Sequence, residues 1–574
     1  MLEPHTTPPP LGLAFVVALV SLALFGAAAV GAGFAFDDLE GVLGNPLING
    51  TRPMLDAFRY DYWHHLGDAG HYRPLAVLSL AIDHRLFGSW APGYHASSAL
   101  LHAAVVLFAA LFARHLAPAR LAWAGLVGAA IFAVHPALAD AVAWVSGRSS
   151  PLSLLPGVLF GWLLIRQSQP GPRAVFRCVF VAAFLGVLSK EDGFFGAALP
   201  LAVAFSRGSL RASRIPAVLG LALAAGLYLA LRASALGAAL PAAPHAPLAG
   251  LPLATRLAAA GGAMATGWHS LLWPTHLAPS FHAATWPTSL TSPTALAGWL
   301  VWLGLLATAI ATRRTHRALA TSLALAALVW LPVQQWIPAG EIFAPRFLYQ
   351  PLFFLALPLG AAALALAAKL AKFRGGALTA GLLTLLLLLA TVPITWRTAR
   401  TYTSLDAYAS ATLARFPQDP EAWNTLGLGK EERGDLPAAR AAYERATTID
   451  ATYGRPHSNL ARLDLAAGHI NSARKHFEAA VALGPGNPVA LCNLGSFELA
   501  TKNYAAATRA YNKACALAPG LVTAWRGRAR LALIASDANI ARKALNKAEA
   551  LDPSASGLAK LRVQLRELER NQSH

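Results

Sequence analysis

Up to about residue 402 the chain alternates long apolar runs with short basic or polar connectors, and then it changes character. A bilayer crossing needs roughly 20 mostly apolar residues. Runs that approach this lie at 11–33, 95–114, 120–138, 151–166, 174–189, 192–206, 215–235, 295–312, 318–337, 347–368 and 376–396, and they predict eleven transmembrane helices. The apolar stretch 253–273 is interrupted near its end by His269, Trp273-Pro274 and His276 and reads as a re-entrant or interfacial segment. Beyond Pro417 the sequence reads as water-facing helix.

That second part repeats every 34 residues, in units 420–453, 454–487, 488–521 and 522–555. Ala439, Tyr443 and Ala446 of the first unit recur as Ala473, Phe477 and Ala480, as Ala507, Tyr511 and Ala514, and as Ala541, Leu545 and Ala548. Small residues at fixed slots let paired helices touch, and the large side chain fills the gap between units, which is the tetratricopeptide pattern. Residues 401–419 read as a linker helix and 556–574 as a capping helix and tail. The expected fold is all-α: a polytopic helical membrane domain over 1–400, followed by an α-solenoid. Stacked repeats form extended concave surfaces. The concave face of 420–555 is therefore expected to bind a polypeptide, with pure scaffolding as the alternative.

Composition agrees with this division. The 574 residues are 56% hydrophobic and 13% charged, whereas soluble domains carry about 25% charged residues. The net charge of +19 is largely topological, because Lys and Arg stay on the cytoplasmic side. With the N-terminus inside, the inner loops hold Arg114 and Arg120; Arg166, Arg173 and Arg177; Arg207, Arg211 and Arg214; Arg313, Arg314 and Arg317; and Lys369, Lys372 and Arg374. All eleven acidic residues between Pro4 and Arg400, Asp68 among them, fall on the outer side. The basic surplus needs no nucleic acid. An odd number of crossings places the repeats on the side of the first outer loop, 34–94. The Ala/Leu/Arg-rich composition points to a bacterial inner membrane with the repeats in the periplasm; in an endoplasmic reticulum the same topology puts them in the lumen. The leader Met1 to Pro10 has no Lys or Arg, so the first crossing is expected to be an uncleaved anchor. Cys178, Cys492 and Cys515 are too few for a disulfide framework and read as buried small residues.

The outer loops carry the candidate chemistry. Asp37-Asp38 follows the first crossing directly, with Glu40 close behind. Two adjacent carboxylates repel one another and separate their pKa values, which gives one ionised base beside a proton-carrying or orienting partner; a hydrated helix cap is the bland reading. His71-Tyr72-Arg73 offers a guanidinium able to hold a phosphate bidentately, or to pair with one of the loop's own aspartates. His64, His65, His71, His84 and His95 match no regular metal-ligand spacing. Three further outer segments each pair a cation with a carboxylate: Arg148 with Asp140 in the stretch that starts at His135, Lys190 with Glu191 beside Asp192, and Arg346 with Glu341. A run of cations and carboxylates on one membrane face suits a lipid-phosphate leaving group and an acceptor that must be deprotonated.

The ordered segments FDDLEGVLGNP, DYWHHLGDAGHYRPL, LSLAIDHRLFG, PGYHASSALLHA, HPALADAVAWVSGR, SKED and RFLYQP resemble those of the transmembrane and tetratricopeptide-repeat-containing proteins, which are similar to protein O-mannosyltransferases of the GT-C superfamily. The resemblance runs from Phe34 to the repeats. It implies a GT-C membrane fold, a polyprenyl-phosphate sugar donor, and a catalytic acidic motif that falls on Asp37 and Asp38. Two places depart from the pattern. Pro345 stands where the family has a Glu before the Arg, and Ser149-Ser150 stand where it has Lys-Asp. The expected reaction is inverting transfer of one sugar, mannose as the best match, from the lipid phosphate to a Ser or Thr hydroxyl of a protein. Asp37 or Asp38 would act as base, and Arg346, Lys190, Arg148 and Arg73 would take the phosphate charge. Glu40, Glu191, Asp192, Glu341, Tyr72, His71 and His135 would support them. No cofactor is required, since these cations can do the work of a divalent ion, although an acid pair could hold one. The expected partners are the lipid-linked sugar, an acceptor polypeptide delivered by the repeats, and membrane lipids. The rival readings are a membrane-anchored repeat scaffold and an oligosaccharide ligase or polymerase. The short late loops count against the second.

Overall fold

The computed structural model describes residues 7–65, 70–206, 210–238, 248–275, 277–281, 286–331, 341–370, 376–553 and 555–572. Asp68, Arg207, His276, Lys372 and Arg374 lie outside the described residues, as does the Arg211 side chain. Among the described residues every regular element is helical, as an all-α fold requires.

The first part of the chain forms α1 (Leu11–Ala29), α2 (Pro74–Phe87), α3 (Ala91–Ala113), α4 (Ala119–Val134), α5 (Ala139–Val142), α6 (Ser149–Ile165) and α7 (Pro172–Ser189). It continues with α8 (Ala198–Ser206), α9 (Leu210–Leu236), α10 (Leu253–Leu272), α11 (Pro293–Thr312), α12 (Arg317–Leu328), α13 (Tyr349–Leu370) and α14 (Gly376–Arg400). Among the described residues seven helices are long and apolar enough to cross a membrane, and eight if the bent pair Ala119–Val134 and Pro136–Val142 is one span. The other three apolar runs take different forms. Run 192–206 splits into a 3-10 turn, Glu191–Ala197, and the nine-residue α8; run 318–337 yields the twelve-residue α12; and 376–396 falls within α14. The stretch 253–273 forms the helix α10, with His269 in its last turn, and among the described residues it is not one of the helices long and apolar enough to cross a membrane. It ends where Pro274 disfavours helical backbone at Trp273.

Helices pack in pairs: α4 with α13, α7 with α9, and α1 with α3. The closest approach is between α4 and α13. A Cβ on Gly128 would collide with the Ala356 carbonyl, and one on Gly360 with the Ala124 carbonyl. In a lipid solvent, where apolar burial between helices gains little, such backbone contact is what close packing supplies.

The repeats fold as helix pairs in the expected register: α16 (Pro420–Glu432) with α17 (Leu436–Ile449), α18 (Gly454–Ala466) with α19 (Ile470–Leu483), α20 (Pro488–Ala500) with α21 (Tyr504–Leu517), and α22 (Val522–Ile534) with α23 (Ala538–Leu551). The helix α15 (Leu405–Arg415) comes before them, and α24 (Leu558–Gln572) packs on the last pair. All twelve periodic side chains named above are buried. Asp419 and Asn487 accept hydrogen bonds from the first free N–H groups of α16 and α20, the local signal that starts each helix.

Contacts divide the chain into two compact units, and the first outer loop is shared between them. One unit holds Met1–Asp38, Ala57–Arg59 and Tyr72–Ala407; the other holds Leu39–Asp56, Tyr60–His71 and Tyr408–His574. Within the repeat unit the loop is a packed element. The buried Asn45 donates to the Tyr62 carbonyl at 2.8 Å, and Arg52 donates to the Leu551 and Ala550 carbonyls at 2.9 and 3.0 Å. These carbonyls end α23, where a cation also meets the negative end of the helix dipole.

Candidate functional site

The chain leaves α1 and turns through Phe36, whose backbone is left-handed at φ 51°, an uncommon conformation for a bulky residue. The turn sends the next two carboxylates to different surroundings. Asp37 is partly exposed, whereas Asp38 is fully buried. One oxygen of Asp38 accepts from the Ser146 hydroxyl at 2.6 Å and the Ser146 N–H at 2.9 Å, and the other accepts from the Ala35 N–H at 3.3 Å. Burial pushes its pKa up to about 6, against the pull of the Ser146 bonds and the Arg148 charge.

Arg148 is sealed in. It is 1% exposed and donates to Asp83 at 2.5 Å, to the Tyr94 carbonyl at 2.7 Å and to the Val145 carbonyl at 3.3 Å. Its partner is Asp83, and the expected pairing with Asp140 is not formed. Asp140 instead accepts from the backbone and side chain of Arg346 at 2.9 and 3.3 Å. Arg346 also pairs with Glu341 as expected. Lys190 pairs with Asp192 at 3.1 Å, not with Glu191, and donates to the Ser150 hydroxyl at 3.0 Å. Glu191 is taken by Arg73 at 2.8 Å. Sequence neighbours were therefore poor guides to partners. The turn at Ser189–Asp192 points consecutive side chains in different directions.

A second group of residues holds these pairs together. Lys190 and Arg346 lie 5.9 and 5.7 Å from the centre of the Phe347 ring, and Arg346 lies 4.9 Å from that of Trp144. Gln350 donates to the Asp192 carbonyl at 3.1 Å and to the Ser153 hydroxyl at 3.3 Å. The stretch from Trp144 to Ser153 is thus a hub: Trp144 serves Arg346, Ser146 holds Asp38, Arg148 binds Asp83, Ser150 receives Lys190, and Ser153 meets Gln350 and Asp192. Sequence reasoning missed Ser146, Gln350 and the hub's serines, because an uncharged hydroxyl carries no signal until its partner is placed. Arg232, 3% exposed near the end of α9 beside Tyr228, was missed as well. It counted as part of an apolar run.

Exposure ranks the cations for a phosphate. Arg73 and Arg346 keep 24% and 18% of their side chains accessible, Lys190 8% and Arg148 1%. Arg148 is enclosed and Lys190 nearly so, and Arg73 and Arg346 are the two that solvent reaches. Of the supporting residues, the Tyr72 hydroxyl donates to the Phe58 carbonyl at 3.1 Å. His135 accepts from the Ala137 N–H and faces the Leu271 carbonyl at 3.0 Å, tying α4 to α10. Both are used up in the scaffold. Glu40 and His71 belong to the repeat unit, where Glu40 is exposed and the His71 N–H donates to Asp61 at 2.6 Å. Among the described residues no three His, Cys, Asp or Glu side chains gather as a metal site.

A tetratricopeptide repeat family model matches residues 403–453 and 458–522. The protein O-mannosyl-transferase Tmtc1 of Drosophila melanogaster is 37% identical over 141 residues, 24% of this chain and 15% of its own. The human protein O-mannosyl-transferase TMTC4 is 32% identical over 217 residues, 33% of this chain and 29% of its own. The chain spans less than a third of the length of each of these relatives. Among solved structures, MamA is 20% identical, covering 26% of this chain and 88% of its own at a TM-score of 0.23. Over its matched part the chain is similar to these transferases, and the repeat family model falls on its tetratricopeptide array.

Proposed function

We propose that the chain is a membrane glycosyltransferase that moves one sugar, mannose, from a polyprenyl-phosphate carrier to a Ser or Thr hydroxyl of a polypeptide, with inversion at the anomeric carbon. The observation that carries this reading is the contrast within the acid pair: Asp38 is clamped by Ser146, which leaves the partly exposed Asp37 as the base. Asp37 takes the acceptor's hydroxyl proton as that oxygen attacks the anomeric carbon from the face opposite the phosphate. The bond from that carbon to the phosphate oxygen breaks, and the lipid phosphate leaves with its charge matched by Arg73, Arg346 and Lys190. Fixed cations in a site that excludes water stabilise such a leaving group strongly. The names of the relatives support mannose and a protein acceptor.

This reading takes the N-terminus as inside and the number of crossings as odd, which puts the acid pair and the repeats on the same outer or lumenal face. The chain passes from the membrane unit into the repeat unit between Asp38 and Leu39. No metal is needed for this chemistry. The test is transfer of labelled mannose from polyprenyl-phosphate mannose to peptides by the full chain in lipid nanodiscs. Transfer that survives intact in Asp37→Asn would sink the base assignment, and absence of transfer from any lipid-phosphate sugar would sink the reaction.

A further inference from the structure

Arg509 and Lys513 lie one turn apart on α21, and Lys543 and Lys547 fill the same two slots one 34-residue period later on α23. Side chains four apart share a helix face, and stacked repeats set equal slots side by side, so the four cations form one patch. All four are exposed, and among the described residues none of them is in an ion pair. The cations beside them are engaged locally: Arg542 binds Glu569 at 2.7 Å, and Arg562 binds Glu549.

Nothing on these two helices offsets the patch. α21 contains no acidic residue, and Glu549, the one acid of α23, is the partner of Arg562. The earlier repeats differ. In these slots α17 and α19 keep a single cation each, Arg445 and Lys475, and an exposed carboxylate, Glu444 or Glu478, lies within a turn of it. The last two repeats hold Asn512 and Asn546 where those carboxylates stand.

Apolar side chains complete the patch. Leu517, one turn beyond Lys513, is 47% exposed, and Ile540, one turn before Lys543, is 41% exposed. Lys and Arg beside exposed aliphatic groups suit a helix surface that lies on a membrane, where cations meet headgroup phosphates and apolar groups reach the acyl boundary. A flexible polyanion would use the charges and leave Leu517 and Ile540 in water. The array also follows, in the same chain, a helix long and apolar enough to cross a bilayer, Pro345–Leu370. A membrane surface is therefore the anionic partner at the highest effective concentration.

We propose that this patch on α21 and α23 docks the repeat array on a membrane surface through anionic phospholipid headgroups. The docking does not depend on the transfer reaction. Each cation near an anionic membrane raises binding roughly fivefold. The attraction weakens as salt shortens the screening length, from about 10 Å at 0.1 M to about 3 Å at 1 M.

The test uses the full chain in nanodiscs of zwitterionic phosphatidylcholine. These are mixed with vesicles of phosphatidylcholine alone or with added phosphatidylglycerol, and vesicle-bound protein is measured by flotation. Binding should need phosphatidylglycerol and fall steeply between about 0.1 and 1 M salt. Lys543→Gln with Lys547→Gln should weaken it about twenty-fivefold, and changing Arg509 and Lys513 to Gln as well should weaken it several hundredfold. The altered side chains are exposed, so hydrogen exchange in α20–α23 should match the parent. Changing Arg313, Arg314 and Arg317 of a predicted inner loop to Gln should leave binding near the parent's. Equal binding to both kinds of vesicle, or parent-like binding by the four-residue variant, would overturn the proposal. Capture of poly-glutamate through the four cations without any response to phosphatidylglycerol would overturn it too, and would assign the patch to an acidic polypeptide.

Discussion

Asp38 and Ser146, 108 residues apart in the chain, meet through two hydrogen bonds to one carboxylate oxygen, from the hydroxyl at 2.6 Å and from the N–H at 2.9 Å. The pair joins the loop after α1 to the hub that contains Arg148 and touches Arg346 and Lys190. Ser146→Ala removes the hydroxyl donor to a buried carboxylate, and a hydrogen bond to a charged group is worth about 1.5–3 kcal/mol. Thermal unfolding in detergent should show a loss of this size, and Asp38 should titrate above 6.

The Asp38 carboxyl has a folded-state pKa raised from 3.8 to about 6, so the folded protein holds this proton more tightly than the unfolded chain does. Its contribution is most favourable below pH 4, is lost as pH rises to 6, and is absent above that. At 1.36 kcal/mol per unit the swing is roughly 3 kcal/mol. Asp38→Asn should flatten this part of the stability profile, measured by unfolding between pH 4 and 8. The same variant should cut transfer less than Asp37→Asn, for which loss of a general base predicts a fall of about a hundredfold to ten-thousandfold in kcat.

Arg346 binds Asp140, which is 1% exposed, and Glu341. Removing the cation leaves a buried carboxylate unpaired, at a cost of about 3–5 kcal/mol. Arg346→Ala should therefore lower the melting temperature sharply. Arg346→Ala combined with Asp140→Asn should recover most of the stability but not the transfer, and recovery of both would remove Arg346 from the donor site.

In the repeat unit a Cβ on Gly520 would stand 2.7 Å from the His64 carbonyl oxygen, and Arg52 caps the end of α23. Gly520→Ala and Arg52→Ala should each loosen the first loop from the array without unfolding the repeats. Hydrogen exchange over residues 39–65 should quicken in both variants while α16–α23 stay protected. Unchanged exchange in the loop would show that these contacts do not hold it.

Much of the molecule can be read from local pattern. The 34-residue period placed all eight repeat helices, because a helix pair that buries Ala439, Tyr443 and Ala446 can do so only against a neighbour built alike. Apolar length likewise marked the long helices of the membrane unit, although it could not see that 192–206 would break into a turn and a short helix. Residue chemistry picked out Asp37, Asp38, Arg73, Lys190 and Arg346, since ionisable groups are costly at a membrane face and few are kept.

Partnership was not legible. The pairs Arg148–Asp83, Arg73–Glu191, Lys190–Asp192 and Arg346–Asp140 mostly join residues far apart in the chain, and Coulomb attraction depends on distance in space. The acid pair shows the same limit. Its two members are identical side chains one residue apart, so the sequence by itself determined that a base could be there. Only the tertiary structure distinguished them, because the chain turns left-handed at Phe36, buries one carboxylate against Ser146 and leaves the other partly exposed.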